Sequence, residues 1–365
     1  MLKNTKKILF ILPSAHCGGA EKVTIDVINN ISSDEFNASL LFIDPEGPLI
    51  ADIQKHITHT SLNKKRVRSS IFSLLKAIKQ INPDIILTSI FHLNIAVLFL
   101  KPFISKNVKI IVRESNLPSI VLLRERYPIF FGFLIRLFYP KSDMVISLGQ
   151  EMENDLINSF RVSPLKIKTI PNPVDLFRIQ KLSKASGNPF DKFKYNFLAV
   201  GSLTPQKGFD ILINSMALIA NKCVNVHLTI LGDGVLKHDL IDLISQKGLN
   251  QIITIGGYKE NPYPYFYHAD RFVLSSRYEG LPNVVLESLA LGTPVIALDN
   301  PGCLRDIITN HQQGVLVKPC TANSLAREMI SAYRIGSSIK KPSLLPDKFM
   351  IDHVINQYEE LFAPA

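Results

Sequence analysis

Apolar residues fall in short runs rich in Val and Ile, each followed by a stretch with apolar positions three and four apart. Runs at 8–12, 39–43, 84–88, 108–112, 143–147 and 166–170 predict strands in the first half. Runs at 196–200, 226–231, 251–255, 271–275, 294–298 and 315–317 predict strands in the second. Most are almost wholly apolar, as parallel strands covered on both faces are. Helical spacing separates them: Ala20, Val23, Val27, Ile28 and Ile31 fall on one stripe. Strand alternating with helix predicts an α/β fold of doubly wound parallel sheets with right-handed crossovers.

The alternation breaks once. Pro171-Asn172-Pro173 ends the first series, and a polar stretch with Ser183, Ser186, Gly187, Asn188 and Pro189 precedes the second. The expected organisation is a Rossmann-like domain over 1–172, a linker over 173–193 and a second Rossmann-like domain over 194–346. A last helix over 347–365 follows Pro342 and Pro346 and is expected to pack back on the first domain. Its apolar positions are Phe349, Ile351, Val354, Ile355, Tyr358 and Leu361. Ligands of such sheets bind outside the carboxyl ends of the strands, so two domains are expected to face a central cleft.

Composition narrows the class. At 365 residues, 46% hydrophobic and 20% charged, the chain is globular, which excludes general disorder. Cys17, Cys223, Cys303 and Cys320 form no Cys-x-x-Cys pair, which speaks against a disulfide scaffold or a thiolate zinc site and fits a reducing cytosol. The run at 8–12 behind Lys3, Lys6 and Lys7 has only strand length and no cleavage-site pattern. No run reaches the roughly 20 apolar residues of a spanning helix. The chain is therefore expected to be cytoplasmic, or peripheral on the inner face of the plasma membrane.

The formal net charge is +10. Between Asp52 and Glu114 the only acid is Asp84, and the cations there include Lys64, Lys65, Arg66 and Arg68. Such an excess is either a solvated face or a surface for an anionic partner. Apolar residues and cations also interleave over 118–140, which reads either as a core helix or as a segment lying on a membrane. No nucleic-acid-binding motif is present, so nucleic acid is not an expected partner.

Candidate chemistry sits where predicted strands give way to helices. Gly18-Gly19-Ala20-Glu21-Lys22 follows the first strand and fits either an anion-binding turn or a plain tight turn. The G-x-G-x-x-G and G-x-x-x-x-G-K-[ST] patterns are absent, which weakens a nicotinamide dehydrogenase and a P-loop NTPase. A loop from Gly201 to Gly208 places Lys207 after the second domain's first strand, as a point charge for a phosphate or as a surface lysine. The richest run is Ser275-Ser276-Arg277-Tyr278-Glu279-Gly280-Leu281-Pro282-Asn283-Val284-Val285-Leu286-Glu287. A helix starting near Asn283 would aim its amino end at a phosphate. Glu279 and Glu287 would then accept hydrogen bonds from hydroxyls on either side of that phosphate.

This run, with seven residues between Glu279 and Glu287, resembles the E-x7-E motif of retaining GT-B glycosyltransferases of glycosyltransferase family 4. Glu287-Ser288-Leu289-Ala290-Leu291-Gly292-Thr293-Pro294, Pro171-Asn172-Pro173, Gly232-Asp233-Gly234 and Gly314-Val315-Leu316-Val317 match in the family's order. The resemblance covers nearly the whole chain and is most specific in the second domain. It implies transfer of a hexose or N-acetylhexosamine from a nucleotide sugar, UDP ahead of GDP, with retention at the anomeric carbon. The implied acceptor is a glycan, lipid-linked, in surface polysaccharide or lipopolysaccharide assembly, reached from an acceptor-side first domain.

The resemblance also assigns residues. Glu279 would hold donor-sugar hydroxyls and Glu287 the ribose. Lys207, with the amides of Leu281, Asn283 and Val284 beside Gly280, would neutralise the leaving diphosphate. Gly18 and Gly19 would approach the same group, and Tyr258 lies where the family places the base. No metal or other cofactor is expected. Two departures stand out. Ser202 occupies a position where the family often has Arg. Where many members carry a His near the sugar, this chain reads Val112-Arg113-Glu114-Ser115-Asn116, so Arg113 or Glu114 would take that place.

Two other readings compete. A non-catalytic nucleotide-sugar-binding protein on the same fold accommodates the change at Ser202. A hydrolase would need two carboxyls flanking one bond, and the phosphate-directed loops favour transfer instead. The G-x-S-x-G elbow of a Ser-His-Asp hydrolase is absent.

Overall fold

The structure is a computed structural model that describes residues 5–16, 18–220, 222–336 and 342–363; Cys17 lies outside the described residues. The chain forms two compact units, Met1–Pro173 with Asp352–Ala365, and Val174–Ile351. Among the described residues the first holds β1 (Lys6–Leu12), β2 (Phe36–Phe42), β3 (Thr58–Ser61), β4 (Ile85–Ser89), β5 (Lys109–Arg113), β6 (Met144–Ser147) and β7 (Ile167–Thr169). They lie side by side in the order β3-β2-β1-β4-β5-β6-β7. The second holds β8 (Tyr195–Val200), β9 (Val226–Leu231), β10 (Ile253–Gly257), β11 (Arg271–Leu274), β12 (Val295–Leu298) and β13 (Gly314–Val317). Their order is β10-β9-β8-β11-β12-β13. Every pairing in both sheets is parallel.

Each unit is thus a doubly wound, Rossmann-like fold. The strand order reverses between β1 and β4, and again between β8 and β11. At such a reversal the loops leave to opposite faces and open a crevice at the carboxyl ends of the strands. Central strands are buried throughout: Ile8 to Leu12 in β1, and Phe197, Leu198 and Ala199 in β8, are fully covered. Helix Phe209–Ala220 covers one face of the second sheet with Leu212, Ile213, Met216 and Ile219.

Three features depart from the sequence expectation. The edge strand β3, Thr-His-Thr-Ser, has no apolar signal because three of its four residues face solvent. The stretch read as a linker carries helix Leu176–Ser183, with Asp175 accepting from the Arg178 amide at 2.8 Å and Ile179 buried. The last helix divides into a 3-10 turn, Asp347–Phe349, and helix Ile351–Phe362, parted at Met350, which bridges to Val174.

Helix Ile351–Phe362 completes the first unit. Phe362 meets the rings of Phe10 and Phe36 edge-on at 6.2 and 5.9 Å. The Ser32 amide donates to Glu359 Oε1 at 2.7 Å. Lys6 and Lys109 donate to the carbonyls of Phe362 and Leu361 at 3.1 and 2.7 Å, placing cations at the negative end of the helix dipole.

Candidate functional site

The reversal between β8 and β11 gathers the candidate residues of the second unit. The loop after β8 is held by the loop after β11 through main-chain contacts. The Arg277 amide donates to the Gln206 carbonyl at 2.7 Å, and Ser275 Oγ to the Lys207 carbonyl at 2.9 Å. Arg277 adds a two-pronged pair with Asp210 at 2.9 and 2.7 Å and a bond to the Pro205 carbonyl at 2.8 Å. That guanidinium holds the Asp210 carboxyl below its usual range. Gly208 has φ +61°, and a Cβ there would lie 2.2 Å from the Ser275 carbonyl oxygen. Gly208→Ala is therefore expected to lower stability by about 2 kcal/mol or more, since a left-handed residue and a backbone clash add together. Thermal unfolding of the variant checks this.

The clasped loops set one ion pair. The Lys207 stem runs across Gly201, whose missing Cβ would lie 3.3 Å from it. Lys207 Nζ meets Glu279 Oε1 at 2.6 Å, and Ser276 Oγ donates to the same oxygen at 2.6 Å. Lysine and glutamate are largely covered, at 18% and 8% side-chain exposure. The main chain around Glu279 is fixed in turn. Its amide donates to the Pro301 carbonyl at 3.0 Å, the Cys303 amide to the Gly280 carbonyl at 2.8 Å, and Asn300 Nδ2 to the Ser276 carbonyl at 2.7 Å.

Helix Asn283–Ala290 begins directly after this loop. Leu281 and Gly280 are buried beneath it, and Asn283 and Val284 are half-buried on its first turn, the positive end of its dipole. Glu287, one turn further, is buried and accepts from the Tyr263 hydroxyl at 3.2 Å. Ser202 is exposed, 3.4 Å from Thr204 across their hydroxyls. Arg277 pairs with Asp210 at 2.7 Å and Lys237 with Asp233 at 3.1 Å. Tyr258 follows β10 and is exposed.

The first unit carries the remaining candidates. Gly18 precedes helix Gly19–Asn30, and a Cβ on it would lie 2.0 Å from Glu21 Oε2. The Glu21 carboxylate folds back over the helix start, against Gly18. Burial pushes the Glu21 carboxyl up, against the opposing pull of its own amide, His16 and Arg113.

Arg113 and Glu114 were expected as sugar contacts. The structure buries both, at 1% and 3% exposure. Arg113 donates to Ser89 Oγ at 3.2 Å and, through a short bond, to Asn172 Oδ1. Glu114 Oε1 accepts from Asn94 Nδ2 at 2.9 Å and, through a short bond, from the Tyr139 hydroxyl. Desolvation pushes the Glu114 carboxyl up to about 7, partly opposed by those two bonds.

Chemically, the second unit offers a lysine cation, a helix amino end and two carboxylates on a rigid frame, which suits a diphosphate flanked by hydroxyl-bearing groups. Two participants escaped the sequence reading as partners. Ser276 lies inside the recognised run but carries no signal of its bond to Glu279. Tyr263 is remote in sequence and reaches Glu287 only through tertiary packing. Among the described residues no group of three or more His, Cys, Asp or Glu is placed to hold a metal ion. No helix among them is long and apolar enough to cross a membrane.

Similarity to known proteins follows the two units. Residues 17–178 match the family model Glycosyltransferase Family 4, and residues 181–342 the model Glycosyl transferases group 1. An uncharacterized glycosyltransferase of Methanocaldococcus jannaschii is 29% identical over 320 residues, 81% of this chain and 76% of that one. An N-acetylgalactosamine-N,N'-diacetylbacillosaminyl-diphospho-undecaprenol 4-alpha-N-acetylgalactosaminyltransferase of Campylobacter jejuni is 31% identical over 218 residues. That match spans 60% of this chain and 58% of the enzyme's length. The solved structure of Anabaena HepE in complex with UDP superposes with a TM-score of 0.78 at 17% identity, covering 98% of this chain and 99% of that one. At that identity the likeness shows a shared GT-B fold.

Proposed function

The chain belongs to the group 1 glycosyltransferases, with a Family 4 first unit, and on that premise we propose that it is a retaining, metal-independent enzyme that moves a hexose or N-acetylhexosamine from a UDP-sugar. The observation that carries the reading is the Lys207–Glu279 pair at the β8/β11 reversal, beside the amino end of helix Asn283–Ala290. Lys207 and the first helical turn would take the charge of the departing diphosphate, and fixed charges and dipoles of this kind are usually the main source of rate acceleration. Glu279, released from Lys207 as the donor enters, would accept from sugar hydroxyls. Glu287, oriented by Tyr263, would accept from the ribose, and Tyr258 would lie near the base.

Glycan assembly is the setting, and a lipid-linked acceptor at the inner face of a membrane is the finer part of the proposal. The Campylobacter relative, named for a diphospho-undecaprenol acceptor, supports it. So does the basic excess of the first unit.

Thermal shift with UDP, GDP and ADP tests the donor. UDP at a hundredfold its Kd is expected to stabilise the protein by about 2.7 kcal/mol, and GDP and ADP by less. No shift with any nucleotide would remove the donor site. The exposed Ser202, at a position where the family often has Arg, favours a second reading as a nucleotide-sugar binder without turnover. That reading predicts a UDP-sugar shift with no nucleotide release when acceptor is added.

A further inference from the structure

Helices Ile71–Ile81, Phe91–Leu100, Pro128–Phe138 and Gln150–Phe160 pack in sequence against one another. Helices Phe91–Leu100 and Gln150–Phe160 follow β4 and β6, so their first turns lie at the carboxyl edge of that sheet. Helix Pro128–Phe138 follows β5 through the short helix Pro118–Leu122, and its Phe131 packs on Phe91 and His92 in the first turn of helix Phe91–Leu100, which puts its start at the same edge. At this edge residues 123–133 form a corner whose apolar side chains are not covered. Ile129 is 89% exposed and Leu123 75%, and Tyr127, Phe130 and Phe133 are all more than half exposed. The corner is rigid underneath: His92 stacks on Phe131 at 4.9 Å, and Phe91 meets Phe131 edge-on at 5.8 Å.

Cations are interleaved with these side chains. Arg124 and Arg126 are exposed, and the Arg126 guanidinium lies 5.4 Å from the Tyr127 ring centroid. The only acid in residues 115–142 is Glu125, 3.7 Å from His92. One helix away, the 3-10 turn Val67–Ser69 packs on helix Phe91–Leu100 and sits within a basic run. Lys64, Arg66 and Arg68 of that run are exposed, and Phe72 beyond them is 89% exposed. The Lys64 amide bonds the Ile43 carbonyl just past the end of β2, which puts the run at the same carboxyl edge.

We propose that this corner is a docking surface for an anionic lipid bilayer. Ile129, Phe130 and Phe133 enter the apolar layer, Tyr127 rests at the headgroup level, and Arg124, Arg126 and the 64–68 run meet the lipid phosphates. Charge decides against a second copy as the occupant, since a two-fold contact would set these arginines against themselves. The proposal rests on the lipid-linked-acceptor reading only for its purpose: it places the carboxyl edge of the first sheet at the membrane, where such an acceptor is held.

The test is flotation of the full chain with phosphatidylcholine vesicles, with and without phosphatidylglycerol. Wild type is expected to float with the anionic vesicles and to be released by salt. An Ile129→Ser/Phe130→Ser/Phe133→Ser variant is expected to bind about a hundredfold more weakly or worse, since three apolar side chains lose burial. A Lys64→Glu/Arg66→Glu/Arg68→Glu variant is expected to lose about tenfold or more, and only at low salt. Anionic-vesicle binding equal to wild type in the serine variant overturns the proposal. So does wild-type self-association that the serine variant abolishes without any vesicle binding. UDP thermal shift of each variant in vesicle-free solution reports folding and the donor site separately. A wild type that floats but ignores UDP defeats the donor reading and leaves the docking surface standing.

Discussion

Lys207→Met is expected to lower transfer by about 10²–10³-fold, the loss that follows removal of one donor to a developing negative charge. The same change strips Glu279 of its cation and leaves a covered carboxylate accepting from the Ser276 hydroxyl. Breaking one side of a buried pair destabilises by about 3 kcal/mol, whereas removing both charges is close to neutral. Lys207→Met combined with Glu279→Gln should therefore recover most of the lost stability and none of the lost transfer. This split separates the proposed chemical role from a structural one. Single variants that stay within about threefold of wild-type kcat/KM would dismiss the catalytic assignment. A double variant that regains transfer would dismiss it as well.

The second large effect concerns pH and lies in the first unit. Glu114 is fully enclosed, and its carboxyl is pushed up to about 7 by desolvation. In the unfolded chain it ionises at the ordinary value of 4.5. The folded state therefore holds a proton that the unfolded state releases between these two values. Stability contributed by the neutral carboxyl is full below about 4.5 and is lost as pH rises through about 7, by roughly 3 kcal/mol in total. Glu114→Gln keeps an oxygen acceptor for Asn94 and Tyr139 and removes the titration. Its melting temperature is expected to match wild type at pH 5 and exceed it at pH 8. Melts of both proteins across this range check the sign; a wild type that gains stability relative to the Gln variant as pH rises would refute it.

What was legible in the sequence follows from burial. Central parallel strands are covered on both faces, so Ile8–Leu12 of β1 and Phe197–Val200 of β8 are written as unbroken apolar runs. The edge strand β3 has nothing to bury and leaves no trace in hydropathy. Helix Leu176–Ser183 was hidden because only one side of it is covered, with Ile179 beneath and Phe177 exposed. The candidate loop of the second unit was visible because its pattern is local: Glu279, Gly280 and the helix start at Asn283 are close neighbours in sequence. Partnerships across the fold were not. Ser276 and Tyr263 act through side chains whose targets are fixed only by packing. Arg113 and Glu114 stand at a strand end, where the sequence reading expects access to ligand. Their bonds to Asn94, Tyr139 and Asn172, which arrive from three other parts of the chain, left no signal in the sequence.

The return of the C-terminal helix to the first sheet has a consequence for the order of assembly on the ribosome. Most of the first unit is synthesised before residue 174, yet Phe10 and Phe36 are covered by Phe362, and the Ser32 amide is answered by Glu359. Until helix Ile351–Phe362 emerges, that face of the nascent sheet stays bare, although domains generally fold in the order in which they are made. The second unit, whose segment is contained between the two parts of the first, can close earlier. The first unit is thus begun before the second and completed after it, and a chain that stops short of helix Ile351–Phe362 leaves the first unit incomplete.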